Sequence, residues 1–240
     1  DDWDSSSDTG HYKSNRRLLI FSDNRQDAAY FSTYLQRSYN QILQRRLIIM
    51  TLEKYKDKVL SNQWRVNDLA EFVKKTLYDL HLFPEMSLQQ LEREAWKWVL
   101  HEFMASDRTT GLEGQGLLGF RPVPPPGWRP PRALCKEPWK FTEQEATHLI
   151  MVLLDTLRKN GAVRFPDFVD PKDPFFAPKN REYYFKENVS VPGRIYSWNP
   201  AITRGGNNSR LDYLLRLAAA ISKGISREKV EELLARIWSR

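Results

Sequence analysis

Phosphate chemistry is the first that these residues suggest. Gly114-Gln115-Gly116-Leu117-Leu118-Gly119 has the G-x-G-x-x-G spacing that lets a backbone approach a pyrophosphate. That use needs a strand before the glycines and a helix after them, so that free helix amides meet the anion. Here Ser106–Thr110 precedes and Phe120-Arg121-Pro122 with a proline run follows, so the reading is a turn-rich loop. Neither G-x-x-x-x-G-K-[ST] nor G-x-S-x-G occurs in the chain. His11, His81, His101 and His148 stand far apart, none in an H-x-x-x-H pair, and Cys135 is the sole cysteine. No metal-ligand spacing and no catalytic set follows from them.

Neutralising a polyanion is the better-supported chemistry. Arg158, Lys159 and Arg164 bracket Asn160-Gly161, and Lys172, Lys179, Arg181 and Lys186 follow in the next segment. Such cations would neutralise phosphates and make binding fall with salt. Tyr183-Tyr184-Phe185 would stack on bases if exposed. The plainer reading stays open beside this one: strand aromatics are usually core, and loop lysines are usually solvated.

These residues need elements to hold them. The apolar run Leu18-Leu19-Ile20-Phe21 before Ser22-Asp23-Asn24 predicts a buried strand entering a helix N-cap. A long helix from about Gln26 follows, with Ala28, Phe31, Leu35, Ile42 and Leu43 at helical spacing and a break near residue 50. Asp68 predicts the cap of a helix carrying Leu69, Phe72, Val73 and Leu77, closed by Pro84. Ser87 with Gln90 is a capping box that opens a helix with Leu88, Leu91, Ala95, Val99 and Phe103 inward. On it Trp96 and Trp98 cannot face the same way. Residues 106–140, with five glycines and seven prolines, read as an irregular connector. Thr142 with Glu145 opens the next helix, which Asn160-Gly161 ends. Strands are expected at Ala162–Phe165, Tyr183–Phe185 and Gly193–Trp198, then a helical hairpin over Ser209–Ser222 and Ser226–Trp238. Helices followed by such a ribbon have the order of a winged helix, which serves nucleic acids or protein partners.

Composition bounds these readings. The 240 residues carry 37 Lys+Arg against 30 Asp+Glu, net +7, with 41% hydrophobic side chains. Four aspartates fall within residues 1–10, where no basic residue occurs, so the excess of positive charge lies in the rest of the chain. No apolar run approaches the ~20 residues of a membrane span. The start lacks a signal-peptide layout, and the single cysteine fits a reducing compartment, so a cytoplasmic protein is expected. The absence of an initiating Met reads as a cut within a longer chain.

The string Leu18-Leu19-Ile20-Phe21-Ser22-Asp23-Asn24-Arg25-Gln26-Asp27-Ala28-Ala29, followed by Tyr34-Leu35, resembles motif IV of superfamily 2 DEAD/DEAH-box helicases, in the variant of large DNA-helicase-like proteins. Ser106–Leu117, Leu154–Val163 and Arg210–Leu214 resemble, more loosely, the insertion that follows that motif. The resemblance implies that residues 17–60 open the second RecA-like lobe. It implies that Ser22, Asn24 and Arg25 approach a nucleic-acid backbone, DNA by family. A helix N-terminus suits phosphate, although Asp23 and Asp27 add negative charge there. The Walker A and DEAD/DEAH motifs would precede residue 1 and motif VI would follow residue 240. ATP and magnesium would thus belong to the parent protein, with no cofactor in this chain.

The resulting expectation is an α+β, predominantly helical chain: a strand–helix start of a RecA-like lobe, then a helical insertion with a winged-helix-like module. Its parts are an acidic tail (1–16), the lobe start (17–60), a helical region with connector (61–140) and the winged-helix-like module with hairpin (141–240). The expected activity is non-catalytic: gripping and unwinding DNA together with the remaining helicase domains of the same polypeptide, with no membrane partner. Its expected nucleic-acid contacts are Ser22, Asn24, Arg25, Arg158, Lys159, Arg164 and Lys186. The alternative is an accessory winged-helix domain that docks a protein.

Overall fold

The computed structural model describes residues 25–62, 64–105, 107, 109–184, 194–195, 198, 208–221 and 224–238. They are predominantly helical. The chain divides into two compact units, residues 1–43 and 44–240. In the first, the described part is the opening of helix α1 (Arg25–Lys54), whose Tyr34, Tyr39 and Ile42 are exposed. The expected strand Leu18–Phe21 lies outside the described residues.

In the second unit, the end of α1, helix α3 (Val66–Asp79) and helix α4 (Leu88–Phe103) pack together. The break expected near residue 50 falls at Tyr55, before the short α2 (Lys56–Asn62). Tyr55 and Trp64 both lie against Phe72, each with ring centroids 4.4 Å from it. Asp68 does not cap α3 from outside but sits in its first turn, where its carboxylate accepts the Arg65 amide at 2.7 Å. The Ser87–Gln90 capping box forms as expected. Leu91, Ala95 and Val99 are buried in α4, as is Trp98, with Trp96 on another face. Leu88, in the first turn, departs from the pattern and is exposed.

One buried ion pair ties these helices. Glu102, 3% exposed, accepts from Arg45 Nε at 2.6 Å and from the Leu112 amide at 3.1 Å. Beside it the Thr51 hydroxyl donates to the Thr76 hydroxyl at 2.9 Å inside the α1–α3 contact.

A second core joins α5 (Glu143–Lys159), α6 (Ser209–Ile221) and α7 (Arg227–Trp238). Leu149, Ile150 and Leu153 meet Leu211, Leu214 and Ala218, and Val230, Leu233 and Leu234 close the far side. Trp198 is buried among them, with its indole N–H donating to the Leu234 carbonyl at 2.9 Å. Its own carbonyl accepts from Asn208 and from the buried Arg210, and Asn208 Oδ1 in turn receives the first free amides of α6.

The expected ribbon differs. Residues 162–165 form no strand, and what pairs is β1 (Tyr183–Tyr184) with β2 (Arg194–Ile195), in parallel. A wing is an antiparallel hairpin, so the pairing observed here is not a wing. The reason lies in residues 163–178, where Pro166, Pro171, Pro174 and Pro178 remove ladder donors and turn the chain back onto α4.

Candidate nucleic-acid interface

The end of α5 launches the segment that builds the site. Gly161, at φ +79°, lets the Ala162 amide reach the Leu157 carbonyl while the Gly161 amide reaches Arg158, both at 2.9 Å. This glycine-closed helix end turns the chain through Val163–Pro166 toward α4. A third apolar cluster then pins the segment: Val169 and Phe176 are buried against Leu100 and Met104, with Phe165 edge-on to Phe176. Lys97 adds a polar clasp, reaching Asp173 at 3.0 Å while lying 4.9 Å from the Phe175 ring centroid. Burial pushes the Asp173 carboxyl up, but the Phe175 amide and Lys97 outweigh it and hold the group below its ordinary value.

Between α4 and this segment runs an open cleft of about 760 Å³. Arg93 comes to it from α4, Arg164 from the start of the segment, and Arg181 from its return; all three are exposed. Four carboxylates also line it, Asp167, Asp170, Asp173 and Glu182, so its formal charges balance; two of them are engaged by lysines, while Asp167 and Asp170 have no cation partner among the described residues. Asp173 is held by Lys97, and Glu182 by Lys172 at 3.3 Å. The Asp170 carboxylate accepts the amide of Lys172 in its own turn. Among the described residues none of the three arginines has a carboxylate partner, which leaves three guanidinium forks facing one space. Phe168, 42% exposed, and Tyr183 present ring surface to the same cleft. Forks of this kind suit phosphate oxygens, and an exposed ring suits an unpaired base.

Of the residues expected from sequence, Arg164 is in this cleft. Lys159 is on the surface but already engaged by Asp155 at 2.8 Å. Arg158 is not available to a phosphate. It is 5% exposed, with its Nη1 donating to the Phe103 carbonyl at 2.6 Å, Nη2 to Glu113 at 2.7 Å and Nε to Asp155 at 2.7 Å. Its guanidinium carbon lies 5.4 Å from each of the Phe103 and Phe120 ring centroids. Its work is to hold α5, α4 and the connector together. Lys179 is likewise turned inward and donates to the Met104 carbonyl; burial, with Arg158 and Lys159 nearby, keeps its ammonium below the ordinary value. Ser22, Asn24 and Lys186 lie outside the described residues, and of Arg25 only the backbone, as the first residue of α1, is described.

Arg93 was not among the expected residues. Its only signal is the Arg93–Lys97 spacing on the polar face of an amphipathic helix, which a merely solvated face shares. The glycine-rich loop is a run of turns, with Gln115, Gly116 and Leu117 amides bonded to carbonyls three to five residues back. It opens no helix, so the dinucleotide context is missing there.

No family model, curated protein or solved structure matches the chain. Among the described residues no helix is long and apolar enough to cross a membrane, and no group of His, Cys, Asp and Glu gathers to hold a metal.

Proposed function

We propose that this chain is part of a DEAD/DEAH-box helicase and contributes to its grip on DNA. Three carboxylate-free arginines, Arg93, Arg164 and Arg181, around one open cleft carry this reading. Residues 17–60 would open the second RecA-like lobe, with α1 as the helix behind its first strand. The ATP and magnesium chemistry would be supplied by other parts of the polypeptide. A single strand would lie in the cleft with phosphates on the arginine forks and a base against Phe168.

Single-stranded binding should depend on salt as about −0.7 in log–log slope per phosphate neutralised. Three contacts give a slope of about −2, hence about a twentyfold loss of affinity between roughly 50 and 200 mM salt. Fluorescence anisotropy with labelled single-stranded and forked DNA reads this directly. Replacing the three arginines with glutamine should abolish most of the salt dependence. A chain that binds neither DNA at low salt refutes the reading and favours the protein-docking alternative.

A further inference from the structure

The connector between α4 and α5 holds Arg121-Pro122-Val123-Pro124-Pro125-Pro126-Gly127, a stretch that the cleft does not use. Each proline fixes its own φ and pushes the residue before it out of the helical region. Arg121, Val123, Pro124 and Pro125 are each followed by proline, so the stretch is extended by its own chemistry. Among the described residues the amides of Arg121 and Val123 donate no backbone hydrogen bond, which matches an open polyproline II backbone.

Both ends of the stretch are pinned. Before it, the Phe120 ring sits edge-on to Phe103 at 5.1 Å with the buried Arg158 guanidinium against it, and its amide donates to Glu113. After it, Gly127 at φ +77° closes a turn in which the Trp128 amide donates to the Pro125 carbonyl at 3.1 Å. Trp128 then packs on the α5–α7 core and Pro130 and Pro131 are buried. Between these anchors the chain is presented outward, with Val123 72% exposed and Pro125 and Pro126 exposed too. A loop that only had to connect two helices would not need this apolar display.

From this geometry we infer that the arch is a docking ligand for a protein domain that reads polyproline II in an aromatic-lined groove. Such grooves gain affinity from a ligand already extended, because little chain entropy is lost on binding. Here the pinned ends remove most of what remains. The flanks specify the groove further: Arg121 and Arg129 are exposed and residues 121–132 contain no acidic side chain, so the groove should be bordered by carboxylates. The inference is independent of the DNA cleft.

An array of purified SH3, WW, EVH1 and GYF domains, probed with the fluorescently labelled full chain, tests it. At least one acid-bordered domain should bind, and an unlabelled peptide of residues 119–130 should compete. Replacing Pro124, Pro125 and Pro126 together with alanine should weaken that binding about tenfold or more at an unchanged melting temperature. Val123→Asp, on an exposed position away from both anchors, should weaken it independently. Binding by no domain above the level of the triple variant overturns the inference. So does binding that survives the proline changes and is displaced by DNA, which would make the arch an electrostatic surface only.

Discussion

Replacing Arg158 separates a structural arginine from a phosphate-binding one. Arg158→Ala removes donors to the Phe103 carbonyl and to the Asp155 and Glu113 carboxylates, and empties the space between two phenyl rings. Breaking one side of a buried pair costs about 3–5 kcal/mol. Glu113 is 25% exposed and can turn part of its charge to water, so the low end applies, about 3 kcal/mol. For a chain of this size about 3 kcal/mol lowers the melting temperature by roughly 6–12 °C. Arg158→Lys keeps the charge but gives one compact ammonium in place of a planar fork, so it should recover at most about half of that loss. Thermal unfolding followed by circular dichroism measures both. The reasoning fails if Arg158→Ala melts within about 2 °C of the parent, or if Arg158→Lys is fully stable.

Other consequences are as specific. Gly161→Ala places a non-glycine at φ +79° with its Cβ 3.1 Å from Lys179 Cβ, so it should cost more than the roughly 1–2 kcal/mol of the left-handed backbone alone. Gly116→Ala, at φ +73° with nothing within 4 Å, is its control; equal urea midpoints for the two would contradict the packing argument. Arg45→Ala strands the buried Glu102 and should destabilise by about 3 kcal/mol or more, whereas Arg45→Met combined with Glu102→Leu should lose less than the single change. Asp107 accepts first from the Thr110 hydroxyl, then from the Thr109 amide and hydroxyl and the Thr110 amide, which hold its carboxyl well below the ordinary 3.8. Its folded value being the lower one, its contribution to the loop is present above pH 3.8 and is lost as the pH falls toward that folded value; a carboxyl ¹³C titration with a midpoint at 3.8 or higher rules this out.

Where side chains act on their own backbone, the sequence was readable. The capping boxes at Ser87 and Thr142, the Asn160-Gly161 stop and the two helices of the C-terminal hairpin are local signals, and the structure has them where they were expected. Two of the expected strands, Tyr183–Phe185 and Gly193–Trp198, contain β1 and β2, but their parallel pairing and the absence of a strand at Ala162–Phe165 were not readable in this way. Ala162–Phe165 has strand-like residue types, but the prolines that follow it, from Pro166 on, and the pull of Leu100 and Met104 on the apolar residues beyond it decide its path. The same limit governs the site. Arg158 and Arg164 look alike in sequence, yet only the long-range neighbours Glu113 and Phe120 bury the first and leave the second in the cleft. Arg93 joins them through the packing of α4, which no local pattern announces.

The central claim, that the Arg93–Arg164–Arg181 cleft holds a nucleic-acid strand, is tested most directly by the salt dependence of single-stranded DNA binding for the parent and the triple glutamine variant. The account predicts a log–log slope of about −2 for the parent and a slope near zero for the variant. Parallel lines of equal slope, or no binding by the parent at roughly 50 mM salt, would contradict it.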